Sequence, residues 1–151
     1  MTRDEIAEAS EEQLRIWVAE KVMGWRWLLP PGADCAVLLP PSFDNPHWKP
    51  APNGIVACDD YQETMARYGG TWPTDITAAW QVVERMMTWN ARWLADNDLC
   101  NDQSIMWSFR TGDRPLHYQW YSAEAPKGQA PIAICKAALL AVMGINGGSV
   151  V

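Results

Sequence analysis

The sequence predicts a small α/β fold in which helices pack against a short, largely antiparallel sheet. Three observations predict it. Apolar residues recur at helical spacing near 11–23, 74–94 and 131–143. Apolar and polar residues alternate on both sides of a turn between 105 and 121. The resulting order is helix, strands, helix, hairpin, helix, and 151 residues with 48% apolar content suit one domain, 1–151, with a sizeable core.

The first helix is set by its start. Ser10-Glu11-Glu12-Gln13 is a capping box, and Leu14, Trp17, Val18 and Val22 follow on one face. Gly24 stands where a left-handed C-terminal cap is expected. Trp25-Arg26-Trp27-Leu28-Leu29 then reads as a strand ended by Pro30-Pro31-Gly32. Residues 33–70 form a long, irregular, loop-rich insertion. Within it, Cys35–Leu39 and Ile55–Cys58 read as short strands, Pro40–Gly54 as a proline-rich aromatic loop, and Tyr61–Tyr68 as either a helical turn or more loop.

The second helix starts at Pro73-Thr74-Asp75, with Thr74 or Asp75 as its cap. Its expected core stripe is Ile76, Ala79, Trp80, Val83, Met87 and then Trp93 or Leu94, after which residues 95–103 break it. In the hairpin, Ile105, Trp107 and Phe109 form one apolar face, and Leu116, Tyr118 and Trp120 the other strand's, around the turn 111–115. Residues 124–130 read as a loop. Pro131 suits the first turn of the last helix, which runs to Met143 and is apolar nearly all round except at Lys136. Such a helix fits either a dimer interface, making the chain a homo-oligomer, or a buried core position. The tail 144–151 has little to anchor it and is expected to be flexible.

Charge excludes some functions. The net charge is −6 and the pI about 4.8, which argues against duplex DNA and against anionic membranes as partners. A small anionic ligand stays open, since a few local donors hold a phosphate on an acidic protein. The N-terminus has no apolar core of a signal peptide, and the longest apolar run, from Pro131, is short and holds a lysine. Cys35, Cys58, Cys100 and Cys135 have neither metal-like nor redox-like spacing, so reduced thiols in a cytoplasm are the default. A zinc site using His47 or His117 would need scattered ligands, and no metal or cofactor is expected. No nucleophile elbow, P-loop or HExxH motif is present, so the chain does not read as an enzyme.

Two helix starts could hold an anion. Trp72, Thr74 and Asp75 bring a ring, a hydroxyl and a carboxylate to the second helix, although Asp75 as a plain cap would occupy its amides. Lys127, Gly128 and Gln129 bring a cation, a flexible turn and a helix start together, or else a solvated loop. His47 and Trp48, followed by Lys49, could stack on an anionic ligand from the long loop. Ten tryptophans are mostly packing, with one or two left to face a flat ligand. Arg110 and Arg114 with Asp113 read as a surface ion pair.

Three blocks of the chain resemble the phage ABA-sandwich domain family. "LRIWVAEKVMGWRW" is similar to its "VAEKVMGW" opening, "PTDITAAWQVVERM" to its "STDIAAAWEVVEKM" block, and "APIAICKAALLAV" to its final "PLAICRAALLA" block. They fall in the family's order. The resemblance implies a small α/β/α sandwich from a bacteriophage or prophage and brings no catalytic residues. With the helix starts and the tryptophans, it leads to an expected role in the host cytoplasm. That role is countering host antiviral defence by sequestering a nucleotide-derived immune signal without cleaving it. The alternative is an interaction module that inhibits a host or phage protein through the Pro40–Gly54 loop.

Overall fold

A computed structural model describes residues 1–89, 94–101, 104–111 and 119–145, with side chains described for 1–87, 104–110 and 119–145. The chain forms five α-helices and six strands among these residues. The fold is mixed α/β, as the pattern predicts, but it holds two three-stranded antiparallel sheets where the sequence reads as one.

A first helix that the sequence reading passes over, α1 (Arg3–Ala7), is closed by a capping box of Thr2 and Glu5. Its Ile6 enters the core. Helix α2 (Glu11–Trp17) begins at the Ser10–Gln13 box, where the Gln13 amide donates to Ser10 Oγ at 3.2 Å and the Ser10 amide to Gln13 Oε1 at 3.1 Å. It runs on into a π-turn, Val18–Val22. Gly24, at φ +72°, ends it, and the Trp25 amide reaches back to the Ala19 carbonyl at 2.8 Å.

The small sheet follows in the order β2-β1-β3: β1 (Arg26–Leu29), β2 (Val37–Leu39) and β3 (Lys49–Pro50). Ile55–Cys58 contributes a single parallel bridge, Ala36 to Ala57, and not the expected strand. Cys35 and Cys58, expected as free thiols, lie either side of that bridge and are joined by a disulfide. Adjacent backbone hydrogen bonds bring the two segments together, so proximity comes from long-range pairing that cysteine spacing cannot show. Tyr61–Arg67 is helical, α3, and the Tyr61 hydroxyl donates to Glu12 of α2.

Helix α4 (Ile76–Trp89) buries Ala78, Ala79, Val82, Val83 and Met86. The expected stripe is therefore rotated: Ile76 is 47% exposed, Trp80 49% and Met87 39%. The smaller side chains turn inward because they let the helices approach closely. The chain does not stay helical to Leu94. Leu94–Asn101 is strand β4, pairing antiparallel with β5 (Ser104–Thr111). Its polar sequence hides it from a hydrophobic pattern search. Strand β6 (Gln119–Pro126) takes in residues 124–126, which the sequence reads as loop.

In the β5–β6 ladder, Phe109 opposes Tyr121, Trp107 opposes Ala123 and Ile105 opposes Ala125. The core face of β6 is thus Tyr121, Ala123 and Ala125, not the face of Trp120. Trp120 stands on the opposite face, where the Arg110 guanidinium lies 5.5 Å from its ring centre. Leu116, Tyr118, Asp113, Arg114, His117 and the turn 111–115 lie outside the residues whose side chains are described, as does the tail 146–151.

Helix α5 (Ala130–Val142) is the axis of the molecule. Nine of its residues are buried, from Pro131 to Ala141. It contacts β5 and β6 on one side and α4, α1, α2 and the π-turn on others. Its all-round apolarity is therefore explained inside one chain. Its many alanines let these elements approach closely. A second cluster, Leu28, Val37, Leu39 and Cys58 with Cys35, Phe43 and Trp48 against it, sits apart under the small sheet.

Candidate functional site: a cleft between two helix starts

The starts of α4 and α5 meet. Thr74 from the first and Gly128, Gln129 and Pro131 from the second line one cleft of about 170 Å³, with Glu11 on its rim. The two ends differ in what is left to bind. At α4, Asp75 Oδ1 accepts the Thr77 amide at 2.8 Å, so Asp75 is an N-cap and spends its carboxylate on the backbone. The Thr74 hydroxyl donates to the Thr71 carbonyl at 3.3 Å. At α5, Gln129 makes no side-chain cap bond, and Pro131 contributes no amide. The α5 start has no side-chain cap, but its Ile132 and Ala133 amides donate to the Gln129 carbonyl, at 3.1 and 3.4 Å. Gly128 turns the chain into it at φ +88°, a conformation that favours glycine.

The remaining residues singled out by the sequence fall elsewhere. Trp72 is 1% exposed and packs edge-on against Trp25, ring centres 5.1 Å apart. It is a core residue. Lys127 is exposed beside the cleft without lining it. Trp48 is half-buried against Phe43 at 4.9 Å, and Phe43 in turn meets Tyr68. The loop's two aromatics thus pack on each other. His47 is exposed, its amide held by Asn45 Oδ1 at 3.0 Å.

His47 and Lys49 line a second hollow, of about 290 Å³, with Leu29 and the Pro30-Pro31-Gly32 turn. Next along the same strand, Trp27 lines a third, of about 250 Å³, under the loop 51–55. Trp27 is a hollow-lining residue that the sequence reading does not single out. The available signal is its place two residues before Leu29 on a strand, since alternation sends both to one face.

Burial moves three side chains away from their ordinary proton affinities. Burial pushes the Cys135 thiol well above its ordinary range. Lys136 is lowered by burial, and its Nζ donates to the Ala7 carbonyl at 2.6 Å. Tyr61 is raised, first by burial and then by its bond to Glu12. Among the described residues no group of three or more His, Cys, Asp or Glu is placed to hold a metal ion. None of the described helices is long and apolar enough to cross a membrane.

These features define a small α/β domain that offers clefts at helix starts and on a sheet face. Residues 16–139 match the model of the phage ABA sandwich domain, and the chain belongs to that family. No curated protein and no solved structure matches it.

Proposed function

We propose that the chain is a non-catalytic phage binding protein that counters host defence by holding a nucleotide-derived immune signal. One observation carries this reading: two helix starts, separated by 54 positions between Thr74 and Gly128, converge on a single cleft. A helix start attracts negative charge through free amides and its dipole. At α5 the Ile132 amide is already bonded to the Gln129 carbonyl and Pro131 has none, so the helix dipole supplies that attraction in this reading. Glu11, on the rim, is placed to accept a ribose hydroxyl or a base amine.

At about 170 Å³ the cleft is smaller than pockets that enclose whole ligands, which start near 300 Å³. It fits one phosphate-and-ribose unit, with the rest of the ligand outside. The test is a thermal-shift panel of linear nucleotides, cyclic nucleotides and ADP-ribose derivatives. A binder of the folded state raises the melting temperature by mass action. The expected result is a shift with one ligand, recovered chemically unchanged after heating. A product in place of the ligand would make the chain an enzyme. No shift with any compound would remove the nucleotide reading.

A further inference from the structure

The Trp27 face of the small sheet carries a ligand site of its own. Alternation along β1 puts Trp27 and Leu29 on one face. The ladder sets Lys49 directly opposite Leu29, and the Ala51 amide donates to the Trp27 carbonyl at 3.0 Å, so Lys49 joins them on that face. The two hollows described above are therefore neighbours along one strand. One has an indole and small walls, including Ala36, Ala51 and Ala57. The other has the side chains of Lys49 and His47 beside the Pro30–Gly32 turn. Neither is lined by a carboxylate, on a chain whose net charge is −6.

We propose that this face binds a nucleoside monophosphate, with the base on Trp27 and the 5′-phosphate on Lys49 and His47. Lys49 is the diagonal cross-strand neighbour of Trp27, a backbone spacing of about 7–8 Å, comparable to the reach of a base to its own phosphate. Trp27 is half-buried and fixed in place: it packs against the large core, and the Tyr61 ring lies 5.8 Å from it at a tilt of 48°. The Asn53 side chain, in the loop over the same hollow, can bond the base edge. Stacking tolerates any base, so Lys49 and His47 supply the affinity that separates nucleotide from nucleoside. This site is distinct from the cleft at the helix starts and does not depend on it.

The probe is adenosine 5′-monophosphate, titrated calorimetrically against the full chain, with adenosine and inorganic phosphate as its halves. The monophosphate is expected to bind about tenfold more tightly than adenosine, and phosphate more weakly than either. Lys49→Glu, at an exposed position, should weaken the monophosphate to the level of adenosine and leave adenosine unchanged. Trp27→Leu should weaken both; its fold is checked by circular dichroism, and Lys49→Glu keeps the test decisive if Trp27→Leu fails to fold. A monophosphate affinity unmoved by Lys49→Glu, or no binding at millimolar concentration, overturns the proposal. Loss on Gln129→Glu with no loss on Lys49→Glu would also overturn it, by placing the nucleotide at the helix starts and leaving that reading intact.

Discussion

The two hydrophobic clusters hold themselves together in different ways. The large one surrounds α5 and draws on every described helix, one face of β5 and β6, and Leu38 and Trp27 of the small sheet. The small one has four buried residues under the sheet β2-β1-β3, and one of them is the disulfide-bonded Cys58. A core that size removes little apolar surface from water by itself, and the sheet's other face adds Leu38 and Trp27 to the large cluster. The Cys35–Cys58 bond, across 23 positions, adds a covalent constraint to that segment. The Trp27 hollow lies where the small sheet meets the large cluster, since Trp27, its cross-strand partner Leu38 and Tyr61 all belong with that cluster.

The largest expected effect falls on the self-supporting core. Leu139 is fully buried, and Leu139→Ala should cost about 2–5 kcal/mol, read as a lower urea midpoint with the whole domain unfolding together. Next is the cross-link. The double variant Cys35→Ser, Cys58→Ser should cost about 2–4 kcal/mol, with faster amide exchange at Ala36 and Cys58 and unchanged protection in α5. Equal loss of protection in both regions would make the two clusters one cooperative unit. In the same experiment the Cys135 thiol should resist alkylation while the fold persists, because burial disfavours the thiolate.

Smaller effects test the edges of the large core. Asp75→Ala removes the α4 cap and should cost about 1 kcal/mol by thermal melting, without touching the α5 start. Lys136 gives a pH signature. Its folded value is lowered by burial, so the unfolded chain binds more protons between that value and the ordinary one near 10.4. The cost of burying its charge is fully present below that window, and stability should rise with pH as the window is crossed. Lys136→Met should flatten that rise. Tyr61 acts oppositely: its raised value makes stability fall with pH above about 10.

The contrast also sets what the sequence could reveal. The self-supporting region is written in local patterns. The Ser10 box, the Asp75 cap, the Pro131 start and the β5 alternation are each contained within a few residues, and each element stands where they put it. The exceptions have physical causes. Strand β4 is polar enough to read as a break, and α4 packs alanines and valines inward while Trp80 stays outside against Trp107. The cross-linked region is written in long-range pairings. Nothing local says that Ala36 bridges Ala57 or that Lys49 opposes Leu29. The candidate site divides the same way. Thr74, Gly128 and Gln129 were legible as helix starts, but their convergence needed the packing of α4 on α5. Trp72 showed a large ring next to a helix start and gave no sign that the ring turns into the core.

The most direct test of the account is binding of the nucleotide panel to the wild-type chain and to Gln129→Glu. That substitution keeps the side chain's shape and puts a negative charge at the α5 start, where it favours the helix and repels an anion. The account predicts that one ligand raises the wild-type melting temperature and is recovered intact, while Gln129→Glu is at least as stable alone and loses most of that rise. An equal rise in both proteins would show that the ligand does not sit at the helix starts and would contradict the central claim.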